Sequence, residues 1–224
     1  MAWILRFFTS SIGRKIIMSL SGLFLTLFLV AHLVGNLQLL ANDGGKSFNL
    51  YADFMGSNPL IQTIAKGNFF FILLHVVMAI VLTLNNRKSK GKTGVANKSS
   101  SWTSRNMFLF GAVIFVFIII HLYSFWYKAK FGELAMVTYD GQQVKDLYSL
   151  VIHKFSNPLF SGWYVVALLV IAFHLWHGFQ SAWQTIGISS DKVTPIIKAG
   201  GYLLTVAVTV GFILIPVLLY IRSL

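Results

Sequence analysis

The sequence predicts an all-α integral membrane protein whose five transmembrane helices form a bundle, and three observations predict it. Of 224 residues 56% are hydrophobic and 11% charged, with a mean hydropathy of +0.74; a water-soluble domain needs roughly a quarter of its residues charged to cover itself. Apolar runs of membrane length recur along the chain, at about 16–40, 68–84, 107–127, 161–185 and 200–221, each close to the roughly 20 residues a helix needs to cross hydrocarbon. The net charge of +12 sits beside these runs rather than in a basic domain, so it reads as membrane topology and implies the bilayer, with no nucleic acid, as partner. The absence of cysteine excludes disulfides, thiolate metal sites and haem attached through Cys-x-x-Cys-His.

Residues 1–224 therefore read as a single transmembrane domain. Met1 to Ser11 holds Trp3, Ile4, Leu5, Phe7 and Phe8 around Arg6, an amphipathic segment for the membrane surface. The run from Ile16 to Leu40 is too long for a signal-peptide core and is expected to remain. Asn42 to Lys66 reads as a polar connection broken by Gly44, Gly45, Gly56 and Pro59. After the second span, Asn85 to Arg105 carries Arg87, Lys88, Lys90, Lys92, Lys98 and Arg105 without one acid, which marks it as cytoplasmic. Lys128 to Asn157 is a longer connection, in which Val144, Leu147, Tyr148, Val151, Ile152 and Phe155 recur at helical spacing and predict a short interfacial helix. With the N-terminus inside and the C-terminus outside, the inner segments carry eleven basic residues and one acid, the outer ones seven and five.

An internal repeat accompanies this order. Leu50-Tyr51 followed by Ser57-Asn58-Pro59-Leu60 recurs as Leu147-Tyr148 followed by Ser156-Asn157-Pro158-Leu159, and each proline precedes an intramembrane histidine, His75 or His174, by 16 residues. Spans one and two, and spans three and four, read as two copies of one hairpin.

Four spans each carry a histidine at membrane depth, His32, His75, His121 and His174, and an imidazole in hydrocarbon needs a compensating partner. His75 and His174 lie on inward-running spans, roughly 15 Å from their inner ends; His32 and His121 lie on outward-running spans, roughly 10–14 Å from their outer ends. Two histidine pairs at two depths suit two iron porphyrins, each gripped by imidazoles from facing helices. A proton relay or a transported-metal site is the alternative, and a cofactor-free transporter another; no Asp, Glu, Lys or Arg stands inside any apolar run to serve them. His177, one turn beyond His174, is expected to bond a propionate, water or backbone group. Ser19 and Ser21, with Arg14 and Lys15, fall where inner propionates would emerge. His153 reads as a surface residue.

These motifs resemble a known family. Gly22-x-x-Leu25 leading to Phe28-Leu-Val-Ala-His32-Leu-x-Gly35-Asn36, His75 late in its span, Ser104-Arg105-Asn106-Met107, and His174-Leu-x-His177-Gly178-x-x-Ser181-Ala182 look like the five-span, di-haem cytochrome b anchor of succinate:quinone oxidoreductases (succinate dehydrogenase or fumarate reductase). The resemblance implies two haems b, the proximal one held by His75 and His174 and the distal one by His32 and His121. It implies partners on the cytoplasmic side, an FAD flavoprotein carrying the dicarboxylate chemistry and an iron–sulfur subunit, and (mena)quinone as electron acceptor or donor in a bacterial cytoplasmic membrane. Another membrane cytochrome b, for a hydrogenase or formate dehydrogenase, is the nearest alternative. Some family members carry a glutamate within the bundle; here none lies in a span, which speaks against a coupled proton path of that kind. Gln38, Ser21, Gln180 and Trp183 are polar or aromatic groups near helix ends where a quinone head would be sought.

Overall fold

A computed structural model describes residues 6, 7, 9–89 and 101–224. In chain order these form α1 (Ser11–Leu37, extended by a 3-10 turn Gln38–Leu40), α2 (Lys46–Ser57), α3 (Pro59–Ser89), α4 (Trp102–His121), β1 (Met136–Tyr139), β2 (Gln142–Lys145), α5 (Leu147–Phe155), α6 (Pro158–Thr185) and α7 (Val193–Arg222). Five of them, with their extensions, are long and apolar enough to cross a membrane: Ser11–Leu40, Pro59–Lys88, Trp102–Phe131, Pro158–Thr185 and Val193–Arg222.

Each of these helices is longer than its apolar run predicts. At 1.5 Å per residue, 28–30 residues span roughly 42–45 Å, beyond the roughly 30 Å hydrocarbon core, so the polar ends lie among headgroups where composition no longer marks them. Residues 59–66, read as connection, are the opening turns of α3. Their start is set by Asn58, whose Oδ1 accepts from the amides of Leu60 and Ile61 at 3.0 and 3.2 Å, with Pro59 supplying a first position that needs no N–H donor. Asn157 does the same for Leu159 and Phe160 at 2.9 and 3.0 Å. The repeated Asn-Pro is therefore the same cap twice, and each copy follows a short helix, α2 or α5. Ser10 and Ser101 cap α1 and α4 through the amides of Gly13 and Ser104.

The connections hold more structure than predicted. Residues 42–66 contain α2, and residues 136–145 form a two-stranded antiparallel hairpin pairing Val137 with Val144 and Tyr139 with Gln142. Its turn is Asp140-Gly141, both at positive φ (49° and 85°), the two-residue turn whose twist matches paired strands. Val144, assigned by spacing to the interfacial helix, is a strand residue 1% exposed; the helix itself, α5, begins at Leu147. Past His121 the third span does not stay α-helical: Leu122–Tyr127 is a π-helical segment, followed by a last α turn, Lys128–Phe131. Residues 90–100 of the basic loop Asn85 to Arg105, and residues 1–5 and 8 of the amphipathic segment Met1 to Ser11, lie outside the described residues.

The short elements build a cap over one end of the bundle, organised by Asn49, 1% exposed. Its amide donates to Asp146 Oδ1 at 3.0 Å and Tyr139 Oη at 3.2 Å, and its carbonyl accepts from the Tyr148 amide at 2.8 Å, so one side chain ties α2 to the hairpin and α5. Burial pushes the Asp146 carboxyl up, but hydrogen bonds from Ser149 and Asn49 outweigh it and hold the group below the usual carboxylate range.

Within the bundle α1 packs on α3, α6 and α7, and α6 on α1, α4 and α7, while α3 touches α4 more lightly. Helices α1, α3, α4 and α6 thus stand as the corners of a square with α7 outside the α1–α6 edge. The pairs α1–α4 and α3–α6 make at most incidental backbone contact; they are the diagonals, where helix axes are furthest apart.

Candidate functional site

The four intramembrane histidines occupy those diagonals. His75 of α3 faces His174 of α6 with ring centroids 6.2 Å apart, and His32 of α1 faces His121 of α4 at 5.7 Å. Both pairs cross near-perpendicular, at 68° and 87° between planes. The predicted pairing is therefore the one the bundle brings together. All four histidines are half-buried.

Register fixes their depth. A Cβ at Gly22 would lie 3.2 Å from His75 Cε1, and one at Gly111 would lie 4.0 Å from His174 Cε1; Gly22 precedes His32, and Gly111 precedes His121, by 10 residues. Each hairpin thus sets a glycine of its first helix beside the inner histidine of its second. Ten residues of helix separate the two layers by roughly 15 Å. Each outer imidazole also stacks on the phenylalanine one turn earlier, His32 on Phe28 and His121 on Phe117, at 5.3 and 5.7 Å. The spacing Gly-x5-Phe-x3-His, present at 22–32 and 111–121, was a legible repeat in the first and third spans that the reading of the Asn-Pro copies passed over.

The ring nitrogens show how each imidazole is held. Ser21 Oγ lies 3.1 Å from His75 Nδ1, and Tyr164 Oη, on a side chain 5% exposed, lies 3.2 Å from His121 Nδ1. Asn36 donates to the His32 carbonyl at 2.8 Å, and its amide nitrogen lies 3.3 Å from His32 Nδ1. His174 Nδ1 is buried and has no hydrogen-bond partner among the described residues. An imidazole whose Nδ1 is engaged by a neighbour presents Nε2 to a metal, the arrangement found around ligating histidines.

The donor set fits a porphyrin iron. Two imidazoles bound to one metal at about 2.0–2.1 Å each place their centroids about 6 Å apart, close to both observed separations. Among the described residues no three His, Cys, Asp or Glu gather into a group that would hold a bare ion, whereas each pair could give two imidazole nitrogens to an iron already held by a porphyrin.

Other expected residues are distributed differently. His177 is half-buried, and its ring meets the Thr103 hydroxyl of α4, Nδ1 to Oγ1 3.5 Å. Ser19 is 7% exposed on α1. Ser21, expected near the propionates, meets His75 Nδ1. His153 is exposed on α5, as expected. A cleft of about 270 Å³ between the start of α1 and the end of α6 is lined by Ile12, Lys15, Ser181, Gln184 and Thr185; Gln38, Ser21, Gln180 and Trp183 do not line it.

Fold and site together define an all-α membrane bundle whose interior is furnished with paired imidazoles at two depths. The chain is 27% identical over 170 residues, 75% of each chain, to the succinate dehydrogenase cytochrome b558 subunit of Bacillus subtilis (strain 168). By motif and by overall sequence it resembles the cytochrome b anchor subunits of succinate dehydrogenase. No family model and no solved structure matches it.

Proposed function

We propose that this chain is the membrane-anchor cytochrome b subunit of a succinate dehydrogenase or fumarate reductase, holding two haems b between a cytoplasmic iron–sulfur subunit, itself joined to an FAD flavoprotein, and (mena)quinone. The observation that carries the reading is the placement of four imidazoles as two opposed pairs on the two diagonals of one helix square. The relative's name supports the assignment to succinate dehydrogenase, and the basic bias of the inner segments supports an N-terminus on the cytoplasmic side.

In this reading His75 and His174 ligate the inner haem and His32 and His121 the outer one. Bound there, haem b supplies reversible one-electron transfer. The chain's own part is placement and environment. The 16-residue spacing from the Asn-Pro caps sets His75 and His174 at one depth, and the roughly 15 Å between layers lets two sites bridge about half of the hydrocarbon core. Ser21 and Tyr164 accept the Nδ1 protons of His75 and His121, which keeps Nε2 free on each. Phe28, Phe117, Phe125 and Phe212, within 5.3–5.7 Å of the outer imidazoles, keep water from that pair. Ser19 and His177 stand toward the inner ends of α1 and α6, where propionates of the inner haem would emerge.

The test is a haem count and redox titration of the purified complex carrying His75→Ala, His174→Ala, His32→Ala or His121→Ala. The first two should lose one redox component and the last two the other. Loss of the same component by His75→Ala and His32→Ala would overturn the pairing, and a dithionite-reduced spectrum without a b-type band would overturn the cytochrome reading.

A further inference from the structure

Resting on the reading of His75 and His174 as axial ligands, we propose that Ser21 is a positioning residue that lowers the potential of the inner haem through His75 alone, so that the two ligands of one iron are unequal. Ser21 is 1% exposed, its Oγ donates to the Met18 carbonyl at 3.0 Å, and the same carbonyl accepts from the His75 ring. A carbonyl can only accept, so the His75 ring N–H points at Met18, and Ser21 Oγ, 3.1 Å from Nδ1, shares that proton as a second acceptor. A hydroxyl has lone pairs for this second bond. An imidazole that donates its N–H is a more basic ligand, and a more basic ligand favours ferric over ferrous iron. The bond also holds the ring against rotation.

His174 lacks that support, and the repeat explains why. With Gly22 matched to Gly111, the counterpart of Ser21 is Phe110, 7% exposed and packed on Phe173 and Trp102 with centroids 5.9 and 5.5 Å away. Phe110 brings no hydroxyl to the second hairpin, and His174 Nδ1 is buried and unpartnered among the described residues. The first hairpin supplies the hydrogen-bonded ligand and the second the unsupported one.

The experiment compares the purified complex with its Ser21→Ala and Ser21→Thr variants by pyridine haemochrome count and potentiometric titration, with His75→Ala identifying the inner component. Ser21→Ala should keep two haems and raise the midpoint of the inner component with the outer unmoved, while Ser21→Thr, which retains the hydroxyl, stays close to the parent. Loss of the inner haem alone in Ser21→Ala, retained in Ser21→Thr, supports the same role. An unchanged or lowered inner potential, an equal shift of both components, or equal shifts in the alanine and threonine variants overturns it. Failure of the ligand reading shows separately, as two haems surviving in His75→Ala.

Discussion

Gly22 of α1 lies against the imidazole of His75, near enough that a β-carbon at position 22 would stand 3.2 Å from Cε1. That separation is tighter than ordinary contact, so the histidine would have to yield by a few tenths of an ångström to one added carbon. Gly22→Ala is expected to keep both haems with a displaced inner potential. Gly22→Leu, whose branch must enter the space the ring occupies, should lose the inner haem and keep the outer; haem counts on the two variants check this, and an inner haem intact in Gly22→Leu would show that α1 and α3 are less closely apposed.

His177 follows His174 by three residues, roughly 4.5 Å along the helix axis, and meets Thr103 rather than the opposite imidazole. His177→Ala should retain two haems, and His174→Ala one. One haem in His177→Ala with two in His174→Ala would reverse the assignment and break the 16-residue repeat argument.

The cap hinges on Asn49. Asn49→Leu strands the buried amide of Tyr148 and removes the donor to Asp146, and an unsatisfied buried group costs about 1–3 kcal/mol. Hydrogen exchange of α2, α5 and the hairpin should quicken while exchange within α3 and α6 stays slow; uniform loss of protection would mean that the cap and the bundle unfold as one unit.

Asp146 makes the same cap sensitive to acid. Its carboxyl titrates below the ordinary range in the folded protein, so its contribution is fully present above the unfolded value of about 3.9 and is lost as pH falls through the lower folded value. Cap protection should fall below about pH 4 in the parent, whereas Asp146→Asn should lack this acid step. An identical acid profile in both would show that another group controls it.

Asn157→Ala removes the acceptor for the Leu159 and Phe160 amides and should cost about 1 kcal/mol, read as faster exchange in the first turn of α6. Asn58→Ala should act equally on α3 if the two hairpins are copies; an effect at only one of them would separate them.

Much of this protein was legible in its sequence because the bilayer enforces simple rules. Hydrocarbon admits no unpaired backbone, so each apolar run had to be a helix, and a histidine within one had to find a partner; two equal Pro-to-His spacings then placed His75 and His174 at one depth. The helix ends were not legible, since polar residues of α3 from Pro59 to Lys66 lie beyond the hydrocarbon and no longer reveal helix by apolarity. The hairpin was written in Asp140-Gly141, a short-range signal that the surrounding helical spacing of Val144 to Phe155 obscured. What only the tertiary structure decided is what each imidazole touches. Sequence spacing gives depth along an axis but not the azimuth of a neighbouring helix, so it could not tell that Ser21 meets His75, that Tyr164 of α6 reaches His121 of α4, or that Phe110 brings His174 no hydroxyl. Those contacts depend on how α1, α3, α4 and α6 rotate against one another, which is settled by close approach at Gly22 and Gly111 and by ring packing around Phe28 and Phe117.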